Sequence, residues 1–342
     1  MAYTNIKKPT DYFNTVTYSG SETPQTITGV NFSADMAWFK NRTGTAAGGN
    51  IYDTVRGISD GWLYTNETAV SNNAGQPQIT LNSDGYVLNT GYDLINDGAS
   101  TYVSWNWLAN GEGSANTDGS ISSTVSANTT SGFSIVSYTG TGSNATVGHG
   151  LGSTPSVVMV KRRDGNSWWY VRHTGINITD GHVFLNTTSA ASTQSTSIIG
   201  LSSSTFSLGT ETSVNDSGGT FIAYCFAEKQ GFSKFGSYTG NGSTDGTFVY
   251  TGFKPAFVMH KRIDSVSEWF MFDNKRLGYN SENYRLMANL SNAEADAGAY
   301  DLLSNGFKIG ITSGNVNGSG ASYIYMAFAE QPLVGDNPAT AR

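Results

Sequence analysis

The side chains that could carry chemistry in this sequence are four histidines, one cysteine, a thin set of carboxylates and a run of recurring lysines and tryptophans. Zinc or iron would need His, Cys or carboxylate ligands at recognisable intervals. His149, His173, His182 and His260 show no such spacing, so neither a metal nor any other cofactor is expected. Asn116-Thr-Asp118-Gly119 and Asn215-Asp216-Ser217-Gly218 have the oxygen density of a calcium loop, but Asx-Gly clusters read first as turns. Gly148-His149-Gly150-Leu151-Gly152 runs into Pro155 and a strand, with no helix N-terminus to receive a phosphate, and reads as a hairpin loop. No serine is read as a nucleophile. Glycoside hydrolysis would need two facing carboxylates, for which Glu67 and Asp84 are available but not singled out. The chain is therefore expected not to be an enzyme.

The basic residues recur. Lys40-Asn-Arg42, Lys161-Arg162-Arg163 and Lys261-Arg262 each close a hydrophobic run, and a repeated position implies a structural duty, such as pairing with a carboxylate or meeting a neighbouring copy. Trp169 and Trp269 follow their lysines by eight residues and are expected in the core. Trp62, Trp168 and Tyr170 are the candidates for contact with a glycan or protein partner, since aromatic rings stack and anchor interfaces. Cys225 occupies a slot filled by Asn106 and Ala327 elsewhere, which marks it as packing rather than a reactive thiol.

The elements that must hold these residues are repeats. Phe13–Tyr18-Ser-Gly20, Phe133–Tyr138-Thr-Gly140 and Phe232–Tyr238-Thr-Gly240 open three units, the third with one extra residue. Tyr102–Trp107, Phe221–Phe226 and Tyr323–Phe328 close them. Asp84-Gly-Tyr86, Ser204-Thr-Phe206 and Asn305-Gly-Phe307 each introduce a late strand. The chain of 342 residues is rich in Gly (41), Ser (41), Thr (39) and Asn (30) but only 13% charged, which favours turns and pleated strands over helices. The expected fold is all-β: three tandem antiparallel β-sandwich domains, jelly-roll or lectin-like, of about 100 residues each. Residues 1–12 form an N-terminal arm, 13–110 the first sandwich, 111–130 a polar linker, mobile or draped, 131–229 the second, 230–332 the third and 333–342 an extended tail. One brief helix is expected near Ser291–Ala297. A net charge of −7 removes the electrostatic drive toward nucleic acid, a single cysteine excludes an internal disulfide, and neither a signal peptide nor a membrane-inserting stretch of about 20 apolar residues is read.

Asp11-Tyr-Phe-Asn14, Ser137-Tyr-Thr-Gly-Thr-Gly142, Val147–Gly152, Ala223–Glu228 and Gly236–Gly242 together resemble a family of lectin-like virion structural proteins of tailed marine phages. The resemblance covers nearly the whole chain and implies repeated sandwiches, synthesis in the host bacterial cytoplasm and residence in the virion. Its expected role is a non-enzymatic capsid or tail appendage, fibre or decoration protein, forming a homo-oligomer with other virion proteins as partners and a host surface glycan as a further one. Tyr3, Ile6 and Tyr12 are the residues expected to anchor it. The alternative is a carbohydrate-binding adhesin, and the third reading a glycan-degrading enzyme.

Overall fold

The computed structural model describes residues 4–44, 48–72, 78–89, 94–276, 280, 284–298, 300–334 and 338–340. It is all-β. The first repeat folds into β1 (Phe13–Ser19), β2 (Gln25–Ile27), β3 (Met36–Asn41), β4 (Gly49–Asp53), β5 (Leu63–Tyr64), β6 (Ile79–Asn82), β7 (Gly85–Leu88) and β8 (Thr101–Trp107). Five of these form a large antiparallel sheet in the order β1-β8-β3-β4-β5, and β2-β7-β6 form a small sheet over it. After β9 (Ser114–Asn116) and β10 (Ser123–Asn128), the second repeat runs through β11 (Phe133–Thr139), β12 (Ala145–Gly148), β13 (Val157–Arg162), β14 (Tyr170–His173), β15 (Gly181–Phe184), β16 (Ser192–Thr193), β17 (Ile198–Leu201), β18 (Thr205–Leu208) and β19 (Thr220–Phe226). The third adds β20 (Ser233–Thr239), β21 (Phe248–Tyr250), β22 (Phe253–Arg262), β23 (Trp269–Asp273), β24 (Tyr284–Met287), β25 (Ala295–Asp296), β26 (Tyr300–Leu303), β27 (Gly306–Ile309) and β28 (Ser322–Pro332). The order opening, closing, third, fourth, fifth strand recurs as β11-β19-β13-β14-β15 and β20-β28-β22-β23-β24, each with its own three-stranded partner sheet.

The repeated motifs hold this order together. The opening tyrosine sends its hydroxyl to a carbonyl just ahead of the closing strand: Tyr18 to Ile95 (2.8 Å), Tyr138 to Val214 (2.7 Å) and Tyr238 to Val316 (2.8 Å). The next residue after each acceptor is a buried asparagine, Asn96, Asn215 or Asn317, whose Oδ1 accepts the backbone N–H of Ser21, Thr141 or Asn241. Between them sit Gly20, Gly140 and Gly240, where a Cβ would come within 2.3 Å of a backbone carbonyl oxygen. The Tyr-Ser/Thr-Gly motif is thus a lock between the first and last strands of each repeat.

In the third strands, one parity faces the repeat's own small sheet and the other faces a core common to all three repeats. Val158 and Val160 pack inward with Phe206 and Leu208, whereas Val157 and Met159 join Met36, Trp38, Phe257 and Met259 in the shared core. Strands buried on both faces read as unbroken apolar runs, which is why Val157–Val160 show no polar alternation. Near the centre, Phe328 lies 4.9 Å from Phe13, 5.5 Å from Trp107 and 5.9 Å from Phe226, ring centre to ring centre. A void of about 10 Å³ lined by Met36, Trp38, Met159, Tyr224, Met259 and Met326 also lies there.

Residues 111–130, expected as a mobile or draped linker, are neither free nor loosely draped but partly built into a sheet. Strand β10 pairs with β11 from Ser123↔Tyr138 to Asn128↔Phe133, and β9 adds a further strand, because Ile121 and Val125 are taken into the second repeat's core. The helix expected near Ser291–Ala297 is also absent; Ala295–Asp296 pair with Tyr284–Arg285 instead. Among the described residues the one α-helical turn is Thr212–Asn215, capped by Glu211, whose carboxylate accepts the N–H of Ser213. No extra residue interrupts the third opening strand: Ser233 holds the register of Phe13 and Phe133, and Phe232 lies one position earlier. Among the described residues no helix is long and apolar enough to cross a membrane.

Because one core joins all three repeats, Phe328→Ala should lower stability by about 3–5 kcal/mol and leave a single cooperative transition in urea followed by circular dichroism. Separate transitions for the repeats would contradict the shared core.

Candidate functional site

Period-two alternation places the recurring lysines on the shared-core parity, at the ends of the third strands where one repeat meets the next. Lys161 Nζ donates to the carbonyls of Ser167 in its own repeat and Thr68 in the first, both at 2.9 Å. Lys261 reaches Thr188 of the second repeat at 3.1 Å, with Arg262 (2.9 Å) and Ser267 (2.8 Å) in its own. Lys40 donates to Leu290 of the third. The clamps therefore run in a ring, second to first, third to second, first to third. Trp169 and Trp269 follow the same sense, their indole N–H donating to Tyr64 and Phe184 at 2.8 Å. Gly49 holds that position in the first repeat, and a Cβ there would meet Thr65 Oγ1 at 2.2 Å and Trp38 Nε1 at 2.8 Å. Trp38, itself in register with Met159 and Met259, fills the space.

The last residue of each fourth strand makes a second ring. Asp53 accepts the hydroxyl of Tyr224 (2.7 Å) while pairing with Arg56 (2.5 Å), and Asp273 accepts the indole N–H of Trp105 (3.2 Å) while pairing with Arg276 (2.7 Å). In the second repeat His173 takes the aspartate's place and Ile176 the arginine's. His173 Nε2 donates to the Tyr325 carbonyl (3.0 Å), its Nδ1 accepts from Gly175 (2.9 Å), and burial lowers its pKa to about 4.

The other groups of potential chemistry are also engaged. Burial pushes the Cys225 thiol up to about 12. His260, lowered to about 3 by burial, is packed among Phe270, Phe272 and Tyr300. His182 stacks on Tyr170 and meets Ser192 Oγ at 3.2 Å, and His149 accepts the N–H of Leu151 at 3.2 Å. Asp84 accepts the N–H groups of Gly29 (3.1 Å) and Asn31 (2.7 Å) as a turn acceptor, while Glu67 is exposed elsewhere. Asn116 and Asp118 hydrogen-bond to each other as an Asx turn. Gly57-Ile58-Ser59-Asp60-Gly61 does have the G-x-S-x-G spacing of a nucleophile elbow, a correction to the expectation that no serine occupies one. Its serine lies in a 3₁₀ turn rather than a strand-to-helix corner, and Asp60 is paired with Arg163 at 2.9 Å.

The aromatic candidates separate. Trp62 (0% exposed) and Tyr170 (1%) are core residues, so neither can meet a ligand, whereas Trp168 is 48% exposed. Trp168 and Tyr170 do share a face, both packing on Phe184, but Trp168 precedes β14 and projects beyond the sheet. It lines an open groove of about 460 Å³ between the first two repeats, with Asn66, Glu67, Thr68, Asn166, Asn186 and Thr187. Only Trp168 among these was singled out for binding from sequence; Asn66-Glu-Thr68 and Asn186-Thr-Thr188 are loops after β5 and β15 that nothing local marks as adjacent. Of the proposed anchors, Ile6 is 2% exposed in the shared core and Tyr12 packs edge-on against Phe232 at 6.0 Å. Both face inward because the arm covers the apolar end of the third repeat. Tyr3 lies outside the described residues.

Residues 8–332 match the family model of a domain of unknown function (DUF7483). No curated protein matches, and no solved structure matches.

Two predictions follow from the buried groups. Burial lowers Lys40 to about 7 and Lys161 and Lys261 to about 8. The folded chain then releases these protons before the unfolded chain does, so urea midpoints should rise with pH from about 7 until the unfolded lysines titrate near 10.5. Buried tyrosines such as Tyr138, raised by burial, act oppositely above pH 10, and His173 and His260 remove stability below about pH 6.5. A midpoint that falls between pH 7 and 9 would contradict the lysine assignment. Separately, Cys225 should resist a thiol reagent at pH 8 in the native protein and react once urea unfolds it.

Proposed function

We propose that this chain, which belongs to the DUF7483 family, is a non-enzymatic structural protein of a phage virion. Its place is that of a capsid or tail appendage, fibre or decoration protein, made in the host bacterial cytoplasm and assembled as a homo-oligomer with other virion proteins. The observation that carries this reading is the closed ring of three repeats. Lys40, Lys161, Lys261 and His173, all with pKa values lowered by burial, and the buried Asp53 and Asp273 each reach across to a neighbouring repeat. Buried ionisable groups can mark either catalysis or architecture, and the partners of these six are neighbouring repeats. A body held this way suits a load-bearing part exposed outside a cell. The resemblance to lectin-like virion proteins supports the placement, and two of the motifs that carry it, Ser137–Gly142 and Gly236–Gly242, contain the Tyr-Thr-Gly lock of the second and third repeats.

A second reading, a carbohydrate-binding adhesin, is favoured by the Trp168 groove, and one protein can serve both roles. Glycan hydrolysis is not favoured: the groove lining contributes one carboxylate, Glu67, where the reaction needs two.

Mass spectrometry of density-purified particles from cells in which the protein is made during phage growth tests the structural reading. The chain should remain with particles through a high-salt wash at a fixed ratio to the major capsid protein. Recovery only in the particle-free lysate would overturn it.

A further inference from the structure

Resting on the adhesin reading and narrowing it, we propose that the Trp168 groove is a binding site for an uncharged saccharide, one per chain, formed between the first and second repeats. The indole is held on one side by Phe184, at 5.0 Å between ring centres, and offers the rest of its surface to the groove. A pyranose ring presents a patch of C–H groups that packs on such a face. Around the indole stand Asn66, Thr68, Asn166, Asn186 and Thr187, whose amides and hydroxyls both donate and accept, as sugar hydroxyls do. One of these carries unmet capacity, whereas Asn66 Oδ1 is buried against Gly48. Asn186 gives its Oδ1 to the N–H of Trp169 (3.0 Å), which leaves its amide nitrogen unpartnered.

The charges select against an anionic ligand. Lys161 is held by the Thr68 and Ser167 carbonyls and Arg163 by Asp60, so the nearby cations are turned into the seam. Glu67 is the one charged residue of the lining, and it is negative. A sulfate, phosphate or uronate in the groove would meet repulsion and no counter-charge, whereas a neutral or N-acetylated sugar would not.

The loops that shape the groove are already fixed to one another, by Ser167 N–H to Thr68 (2.9 Å) and Ser71 N–H to Arg163 (3.0 Å), so little ordering is needed on binding. The corresponding junction of the third repeat with the second has Glu268 at the position of Trp168 and Val266 at that of Asn166. There the Glu268 carboxylate is hydrogen-bonded by Asn289, the counterpart of Asn186, and the amide that would greet a ligand is taken. At the third junction the position is Gly48. Among the described residues the site is therefore present at one junction.

The test is a glycan array carrying neutral, N-acetylated, sulfated and sialylated oligosaccharides. It is followed by saturation-transfer NMR with the full chain, its Trp168→Ala and Trp168→Glu variants and Asn166→Ala. Neutral oligosaccharides should bind. Trp168→Ala should weaken them by about tenfold or more, and Trp168→Glu, which copies the third repeat, should abolish binding, both with a native circular dichroism spectrum because the indole is half-exposed and outside the shared core. Binding of sulfated or sialylated glycans alone would overturn this assignment and leave the adhesin reading standing. Neutral binding indifferent to all three substitutions would overturn the placement in this groove. Failure of every glycan to bind would overturn the assignment and the adhesin reading together.

Discussion

Each large sheet in this protein is apolar on both faces, and that constraint governs everything else. A sheet in a two-layer sandwich covers one face with its partner and wets the other. Here the small sheets cover one face each, and the remaining faces, carrying Trp38, Trp107, Met159, Phe226, Met259 and Phe328, have only each other to hide them. Two sheets meeting would leave the third bare. Closure of all three is the arrangement in which no face is left in water, and burial of this many aromatic and sulfur-containing side chains is the dominant favourable term.

Closure creates seams, and the seams explain the buried charges. Loops from neighbouring repeats abut where carbonyl oxygens would otherwise lose water without gaining a partner. A lysine is long enough to cross the seam and carries several donors on a mobile tip, so one residue satisfies two or three carbonyls at once. The aspartate ring shows the other half of the rule. Removing one member of a buried ion pair leaves the second uncompensated. The second repeat has neither Asp nor Arg at that position but His173 and Ile176 together, a neutral solution that still reaches across to Tyr325.

The strands and their repetition were legible because their signals are local. Tyr138-Thr-Gly140 announces a strand end and a backbone crossing within three residues, and the lysine spacing already pointed to contact between copies. What escaped was long-range. Alternation puts Val157 and Val158 on opposite faces, yet cannot say that both faces are buried, or that one of them meets Phe13 and Phe257, each about a hundred residues or more away. The same blindness made Tyr170 look like a companion of Trp168 and residues 111–130 look free. Polar composition marks a segment as able to lie at a surface, but two apolar residues, Ile121 and Val125, are enough to recruit it as a sheet edge.

Three copies in one chain also separate duty from freedom without any outside comparison. Some positions keep their chemistry in every copy: the opening tyrosine and the buried asparagine that lock each repeat, and the lysine that crosses each seam. The position after the third strand's turn does not, being Gly48, Trp168 and Glu268 in register. A large aromatic placed in water where neither sister copy needs one adds nothing to closure, since the other two seams form without it. Half-exposed tryptophan is unfavourable to leave wet, so its presence at one seam alone, packed on Phe184 and beside the unpartnered amide nitrogen of Asn186, is the difference between the seams on which the proposed saccharide site rests.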